Sequence, residues 1–157
     1  MRNLALLGLL ALVLSLIGCG TSTPSTVKTA DGTWESALIG SDAGVGVFNF
    51  ITRFSVGTGG SLSVSYLSFL TTGPCFPVSG DMASGSFNVT ATGTSPAANF
   101  QFTVQSGSNS LAMTGTATGT TDSSGNITWS TISGTWTLTG GAGCAGSGTF
   151  TMTRKSG

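Results

Sequence analysis

The sequence contains very little charge and no histidine. Of its 157 residues only five are basic and five acidic, so charged residues make up 6% of the chain, whereas an average soluble domain has about 25%. A chain with so few lysine and arginine side chains has no electrostatic footprint for nucleic acid, which argues against that partner. Disorder is also disfavoured, because 39% hydrophobic residues and nine phenylalanines can fill a core.

The groups that usually carry catalysis are equally scarce. The absence of histidine excludes the Ser–His and Cys–His pairs that activate nucleophiles. Glu35 and Asp81 lie in neither the N-terminal tail nor an obvious hairpin turn, so they are the candidates for any acid–base chemistry. No metal site is predicted, because without histidine two cysteines do not complete a zinc shell. We therefore expect a protein that is not an enzyme and that holds no cofactor or metal.

The first nineteen residues have the pattern of an export signal. One positive charge at Arg2 precedes an apolar run over residues 4–17, which is short for a membrane-spanning helix. The run closes with Leu16-Ile17-Gly18-Cys19, a segment that resembles the lipobox of bacterial lipoproteins. This resemblance implies that residues 1–18 are a signal peptide and that Cys19 becomes the lipidated first residue of the mature chain. The alternative is an ordinary cleaved signal followed by an unrelated cysteine.

The lipoprotein resemblance also implies where the protein resides. Several acyl chains on one cysteine hold a domain firmly on a membrane, so the membrane is the expected partner and the cell envelope the expected location. Gly20 stands where an aspartate would signal inner-membrane retention in double-membraned bacteria, which favours the outer membrane if the cell has one. Residues 19–30 are predicted to be a lipidated cysteine and a flexible Ser/Thr/Pro tether, and residues 31–157 a single β domain.

Two further cysteines are predicted to form a disulfide bond. With Cys19 assigned to lipid, Cys75 and Cys144 remain as an even pair in an oxidising compartment. The bond would close a loop of about 70 residues and constrain the unfolded chain by about 4 kcal/mol. Two free buried thiols are the alternative.

From residue 32 onward, apolar and hydroxyl-bearing residues alternate with a period of two. In one such run, Phe100, Phe102 and Val104 alternate with polar residues. One apolar and one hydroxylated face is typical of an antiparallel sheet with one buried side, and turns rich in glycine, serine and asparagine separate the runs. The pattern predicts eight strands, over residues 32–39, 44–56, 60–70, 83–92, 98–106, 109–120, 126–138 and 145–154.

Eight consecutive strands with short connections predict an all-β, antiparallel meander. Such a meander can close into an up-and-down β-barrel whose interior is either filled or holds one small ligand, and a β-sandwich is the alternative. Within the seventh run, Ile127 and Trp129 lie on one phase of the alternation, whereas Ile132 and Trp136 lie on the other. A β-bulge is expected to reconcile the two phases.

The motif Gly32-Thr33-Trp34 opens the first predicted strand. A Gly-x-Trp at this place resembles the start of lipocalins and avidin-like barrels, in which the tryptophan plugs or lines one barrel end.

The leading interpretation is a lipid-anchored, non-enzymatic envelope lipoprotein that binds a small apolar ligand inside the barrel, since such sites are mostly aromatic. The side chains predicted to line that site are Trp34, Phe50, Tyr66, Phe100, Phe102, Trp129 and Trp136. The alternative is a structural or adhesive surface module with a filled core.

Overall fold

Eight β-strands make up almost all of the fold. The computed structural model describes residues 30–41, 48–70, 74–76 and 82–156. Its strands are β1 (Gly32–Gly40), β2 (Phe48–Val56), β3 (Leu62–Phe69), β4 (Met82–Ala91), β5 (Ala97–Ser106), β6 (Asn109–Thr121), β7 (Ile127–Thr139) and β8 (Gly146–Arg154). One 3₁₀ turn, Thr58–Gly60, precedes β3. Within the described residues, no helix is long and apolar enough to cross a membrane.

All neighbouring strands are antiparallel and form a single sheet in the order β3-β2-β1-β8-β7-β6-β5-β4. The first and last strands pair with each other, so that Trp34 of β1 lies opposite Arg154 of β8. β3 and β4 are the two outer strands, and an isolated bridge between Ser61 and Ser86 joins them at one end. The sheet is therefore an up-and-down meander that is nearly closed into a barrel, which confirms the predicted fold class.

The predicted strands agree with the observed ones to within two residues wherever the structure describes them. The reason is visible in β5, where Phe100 and Phe102 are fully buried while Asn99 and Gln101 are exposed. Threonine fills many of the exposed positions elsewhere, because a β-branched polar side chain suits the solvated face of a pleated sheet. Residues 44–47, predicted as the start of the second strand, lie outside the described residues.

The pairing register shifts at three places, in β3, β4 and β7, and the shifts in β7 and β3 change which residues of the strand face inward. In β7 the pairing with β6 shifts, so that Ser130 is an extra residue. This bulge brings Ile127, Trp129 and Ile132 to the buried face together, as the broken alternation predicted. In β3 the pairing with β2 shifts in the same way, and Ser65 is the extra residue.

Aromatic side chains fill the barrel interior and meet across it. β2 and β5 are not neighbours in the sheet, yet the ring centroids of Phe50 and Phe102 are only 6.0 Å apart. Phe100 of β5 likewise lies 6.2 Å from Phe150 of β8, which is not its neighbour either. The buried hydrophobic residues form one cluster. Packed rings from opposite walls therefore occupy the centre of the barrel.

Cys75 and Cys144 form a disulfide bond, with their Cα atoms 5.5 Å apart. Both cysteines are buried. The bond ties the connection between β3 and β4 to the turn before β8, and the side-chain amide of Asn109 donates a hydrogen bond to the Cys75 carbonyl oxygen at 2.9 Å. The predicted pairing is confirmed.

Candidate functional site

Most of the residues predicted to line an internal ligand site are buried in the core. Each of the following is at most 1% exposed: Trp34, Phe50, Phe100, Phe102, Trp129 and Trp136. They pack against further aromatic rings, because Phe54 stacks on Trp34 with centroids 6.0 Å apart and Phe87 meets Trp129 edge-on at 5.1 Å. The structure thus brings these residues together as a packed core.

Two tryptophans are hydrogen-bonded near opposite ends of the barrel. The indole N–H of Trp34 donates to the Ala30 carbonyl oxygen at 2.9 Å, which fixes the chain where it enters β1. The indole nitrogen of Trp136 lies 3.1 Å from the carbonyl oxygens of both Ile39 and Thr149. Gly148 permits this close packing, since a Cβ at that position would lie 1.9 Å from the Ile39 carbonyl oxygen. Both indoles therefore combine apolar burial with a satisfied polar group.

Tyr66 does not face the barrel interior, in contrast to the prediction. The bulge at Ser65 reverses the alternation after Val64, so Leu67 packs against the core while Tyr66 turns outward and is 51% exposed. The sequence carries a signal of this bulge, because Leu67 and Phe69 lie on the opposite phase from Leu62 and Val64. Tyr66 stands at the break and alternates with serines on the first phase, which is why it was predicted to face inward.

Tyr66 instead lines an open cleft of about 600 Å³ between β3 and β4. This seam cleft is bounded by Val64, Ser65, Tyr66, Leu67, Met82, Ala83, Ser84 and Gln105. It exists because, in the part of the chain that the structure describes, the bridge between Ser61 and Ser86 is the one pairing between the β3 and β4 sides of the sheet. Its volume falls within the range of about 300–1,000 Å³ that is usual for small-molecule sites.

Of the two acid–base candidates, Glu35 forms an ion pair and Asp81 lies outside the described residues, and the nearby Asp31 is hydrogen-bonded to the backbone. A Glu35 carboxylate oxygen forms an ion pair with the Lys155 ammonium at 2.6 Å. The Asp31 carboxylate accepts a hydrogen bond from the backbone N–H of Val56 at 2.7 Å. Asp81 falls in a part of the chain that the structure does not describe. Among the described residues, no group of three or more His, Cys, Asp or Glu side chains is placed to hold a metal ion.

Three basic side chains converge on a second open cleft, of about 450 Å³, at the end of the barrel where β1 begins. Arg53, Arg154 and Lys155 line this basic cleft, and they are all the basic residues of the described part of the chain. Barrel closure assembles the cleft, because β1 pairs with β2 on one side and with β8 on the other. This cleft was not predicted from the sequence. It could have been predicted from the fold class, because a closed meander pairs its first strand with its last and so brings basic residues at their ends together.

Known proteins offer no guide to the function of this chain, so its function is inferred from its sequence and geometry. No family model, curated protein or solved structure matches the chain at a significant level. The segment predicted to be a signal peptide, together with Cys19 and the rest of the tether before Ala30, lies outside the described residues.

Proposed function

We propose that the protein is a lipid-anchored, non-enzymatic module of the cell envelope whose filled β-barrel acts through its outer surface. Cys19 carries the lipid, residues 19–30 form the tether, and β1–β8 form the body that the tether holds. The lipobox-like segment Leu16-Ile17-Gly18-Cys19 supports the anchor. The outer membrane is the location if the cell has one.

The observation that carries this proposal is the packing of rings across the barrel interior. Phe48 of β2 meets Trp136 of β7 at 6.2 Å, and Phe54 of β2 meets Phe100 of β5 at 6.3 Å. An eight-stranded barrel has room inside for filling side chains or for one small ligand. Because aromatic rings take that room here, a function on the outer surface is better supported than one that needs an internal cavity.

Labelling with a fatty acid tests the anchor. Cells that express the wild type or Cys19→Ala are grown with an alkyne-tagged fatty acid and then separated into membrane and aqueous fractions. We expect label and membrane association for the wild type and neither for Cys19→Ala. The double variant Cys75→Ala/Cys144→Ala is the matched control, because it removes cysteines but keeps the anchor. Equal release of wild type and Cys19→Ala into the aqueous fraction would contradict the proposal.

A second candidate function is the binding of a small apolar ligand in the seam cleft. The exposure of two apolar side chains there favours it, since Tyr66 is 51% and Met82 is 69% exposed. Covering apolar surface of this kind is favourable by about 25 cal/mol per Å². The hydroxyl group of Ser84 and the side-chain amide of Gln105 also line the cleft and would orient a ligand.

Titration with a fluorescent fatty acid tests the seam cleft. We expect saturable binding to the wild type that is lost in Tyr66→Ser. Val89→Ser is the matched control, because Val89 is also an exposed apolar residue (43%) but does not line the cleft. Absence of saturable binding, or equal loss in both variants, would contradict this second candidate.

A further inference from the structure

The positive charge of the described barrel is concentrated around the start of β1. Arg53 lies opposite Thr33 in the β1–β2 pair, and the backbone N–H of Lys155 donates to the Thr33 carbonyl oxygen at 2.9 Å. Arg154 reaches the same region, because its guanidinium group donates a hydrogen bond to the backbone oxygen of Asp31. Arg53 and Lys155 are exposed, whereas Arg154 continues the inward alternation of Phe150 and Met152 at the barrel mouth. All three cations line the same cleft.

Nearby carboxylates neutralise this charge only in part. Glu35 pairs with Lys155, and the Asp31 carboxylate accepts the backbone N–H of Val56. Within the described residues, neither Arg53 nor Arg154 forms an ion pair. The guanidinium group of Arg53 and the N–H groups of Arg154 that do not bond Asp31 are therefore left for an oxyanion, and the planar geometry of a guanidinium group suits a phosphate group.

The remaining wall of the basic cleft supplies neutral hydrogen-bond donors. Thr33, Thr128 and Ser130 line it, and each carries a hydroxyl group. Trp129 lies between Thr128 and Ser130, but its side chain faces the core, where it packs against Phe87. The donor set that the cleft offers to phosphate oxygens therefore consists of the cations and the hydroxyl groups.

The basic cleft lies beside the point where the tether enters the barrel. Thr33 follows Ala30 by three positions, and Ala30 follows Cys19 by eleven. Even a fully extended chain therefore keeps the cleft within about 50 Å of the lipidated residue. Lys28, the one other basic residue after the predicted signal peptide, belongs to this same tether. All the basic residues of the mature sequence are thus found in the tether or at the tethered end of the barrel.

We propose that the basic cleft binds the phosphate group of anionic lipid headgroups and thereby holds the tethered end of the barrel against the membrane. The inference rests on the proposed lipid anchor, which keeps the cleft near a bilayer. Each basic side chain close to an anionic bilayer raises binding about fivefold. The attraction decays within about 8 Å at physiological salt, so it orients the barrel only when the basic end faces the lipid.

Vesicle binding by an unlipidated chain tests this inference separately from the anchor. The chain from residue 19 with Cys19→Ser retains all eight strands, their core and the disulfide. It is mixed with vesicles of phosphatidylcholine alone or of phosphatidylcholine with phosphatidylglycerol, and bound protein is measured by sedimentation at low and physiological salt. We expect binding only to the vesicles with phosphatidylglycerol, weakened by salt and about fivefold weaker in Arg53→Gln.

Two further variants separate the cleft from the net charge of the protein. Thr137→Glu changes the net charge by the same amount as Arg53→Gln, but Thr137 lies near the other end of the barrel, where it pairs with Ser147. We expect it to bind like its parent. Glu35→Gln removes the carboxylate that faces Lys155 and is expected to bind more tightly. Equal losses in Arg53→Gln and Thr137→Glu, or no preference for phosphatidylglycerol, would overturn the proposal.

Inorganic phosphate distinguishes a lipid headgroup from a soluble ligand. If it shifts the NMR signals of Thr33 and Thr128 saturably while no vesicle binds, the cleft is a site for soluble phosphate and the membrane role is wrong. If vesicles bind but Cys19 takes no fatty acid in cells, the headgroup site stands and the anchor alone fails.

Discussion

Replacement of Phe100 by alanine tests whether the barrel interior is a filled core. The side chain is fully buried, and its ring centroid lies 5.9 Å from that of Phe102, 6.3 Å from that of Phe54 and 6.2 Å from that of Phe150. The substitution removes a ring that meets two other strands, β2 and β8, as well as a ring on its own strand. In a packed interior the neighbours relax only in part, and a cavity remains.

The expected cost combines lost burial with the cavity. A Phe→Ala change in a filled core lowers the free energy of unfolding by about 3–5 kcal/mol, which lowers the Tm of a domain of this size by about 10–15 °C. An apolar cavity of this kind stays dry and takes up benzene. Benzene at ten times its Kd is therefore expected to restore about 1.4 kcal/mol to Phe100→Ala and nothing to the wild type.

Urea unfolding followed by tryptophan fluorescence measures both effects. Ile39→Ala is the matched control, because Ile39 is 60% exposed and its truncation is expected to change the free energy of unfolding by less than about 0.5 kcal/mol. If Phe100→Ala costs less than about 1 kcal/mol, or if benzene also stabilises the wild type, the interior is not a filled core and the reasoning is refuted.

Three further perturbations test other contacts with the same unfolding assay. Reduction of the Cys75–Cys144 bond, which joins residues 69 positions apart, is expected to cost about 4 kcal/mol through the freedom regained by the unfolded chain. An unchanged urea midpoint would contradict this. Gly148→Ala is expected to cost about 1–3 kcal/mol, because its Cβ would lie 1.9 Å from a β1 carbonyl oxygen, whereas Gly141→Ala has nothing within 4 Å and serves as its control. Equal stability of these two variants would refute the close approach. Trp136→Phe loses the one indole N–H, which is shared between two carbonyl oxygens at 3.1 Å, and is expected to cost about 1–3 kcal/mol. Retention of the wild-type Tm would show that this bifurcated hydrogen bond contributes nothing.

The strands and the disulfide were predictable from the sequence for simple physical reasons. Each strand buries one face only, so Phe150 and Met152 of β8 alternate with exposed threonines, and the period of two is visible without any structure. The pairing of Cys75 with Cys144 was predictable because one pairing remains once Cys19 is assigned to lipid.

The candidate sites depended on tertiary structure that local patterns do not encode. Tyr66 stands where the alternation changes phase before Leu67, and the sequence does not show that the extra residue is Ser65, which turns Tyr66 outward. Periodicity also predicts which side chains face inward but not whether rings from opposite walls touch, because that depends on the tilt and stagger of the strands. The basic cleft likewise brings Arg53 of β2 near Arg154 of β8 because both strands pair with β1.

NMR contacts between rings on opposite walls test the filled interior most directly. With phenylalanine rings labelled, we predict nuclear Overhauser effects between Phe50 and Phe102 and between Phe100 and Phe150, whose centroids lie 6.0 Å and 6.2 Å apart on strands that are not neighbours. Effects from these rings only to residues on adjacent strands, together with effects to water or a co-purified ligand inside the barrel, would contradict a filled interior and with it the proposal that the protein acts through its outer surface.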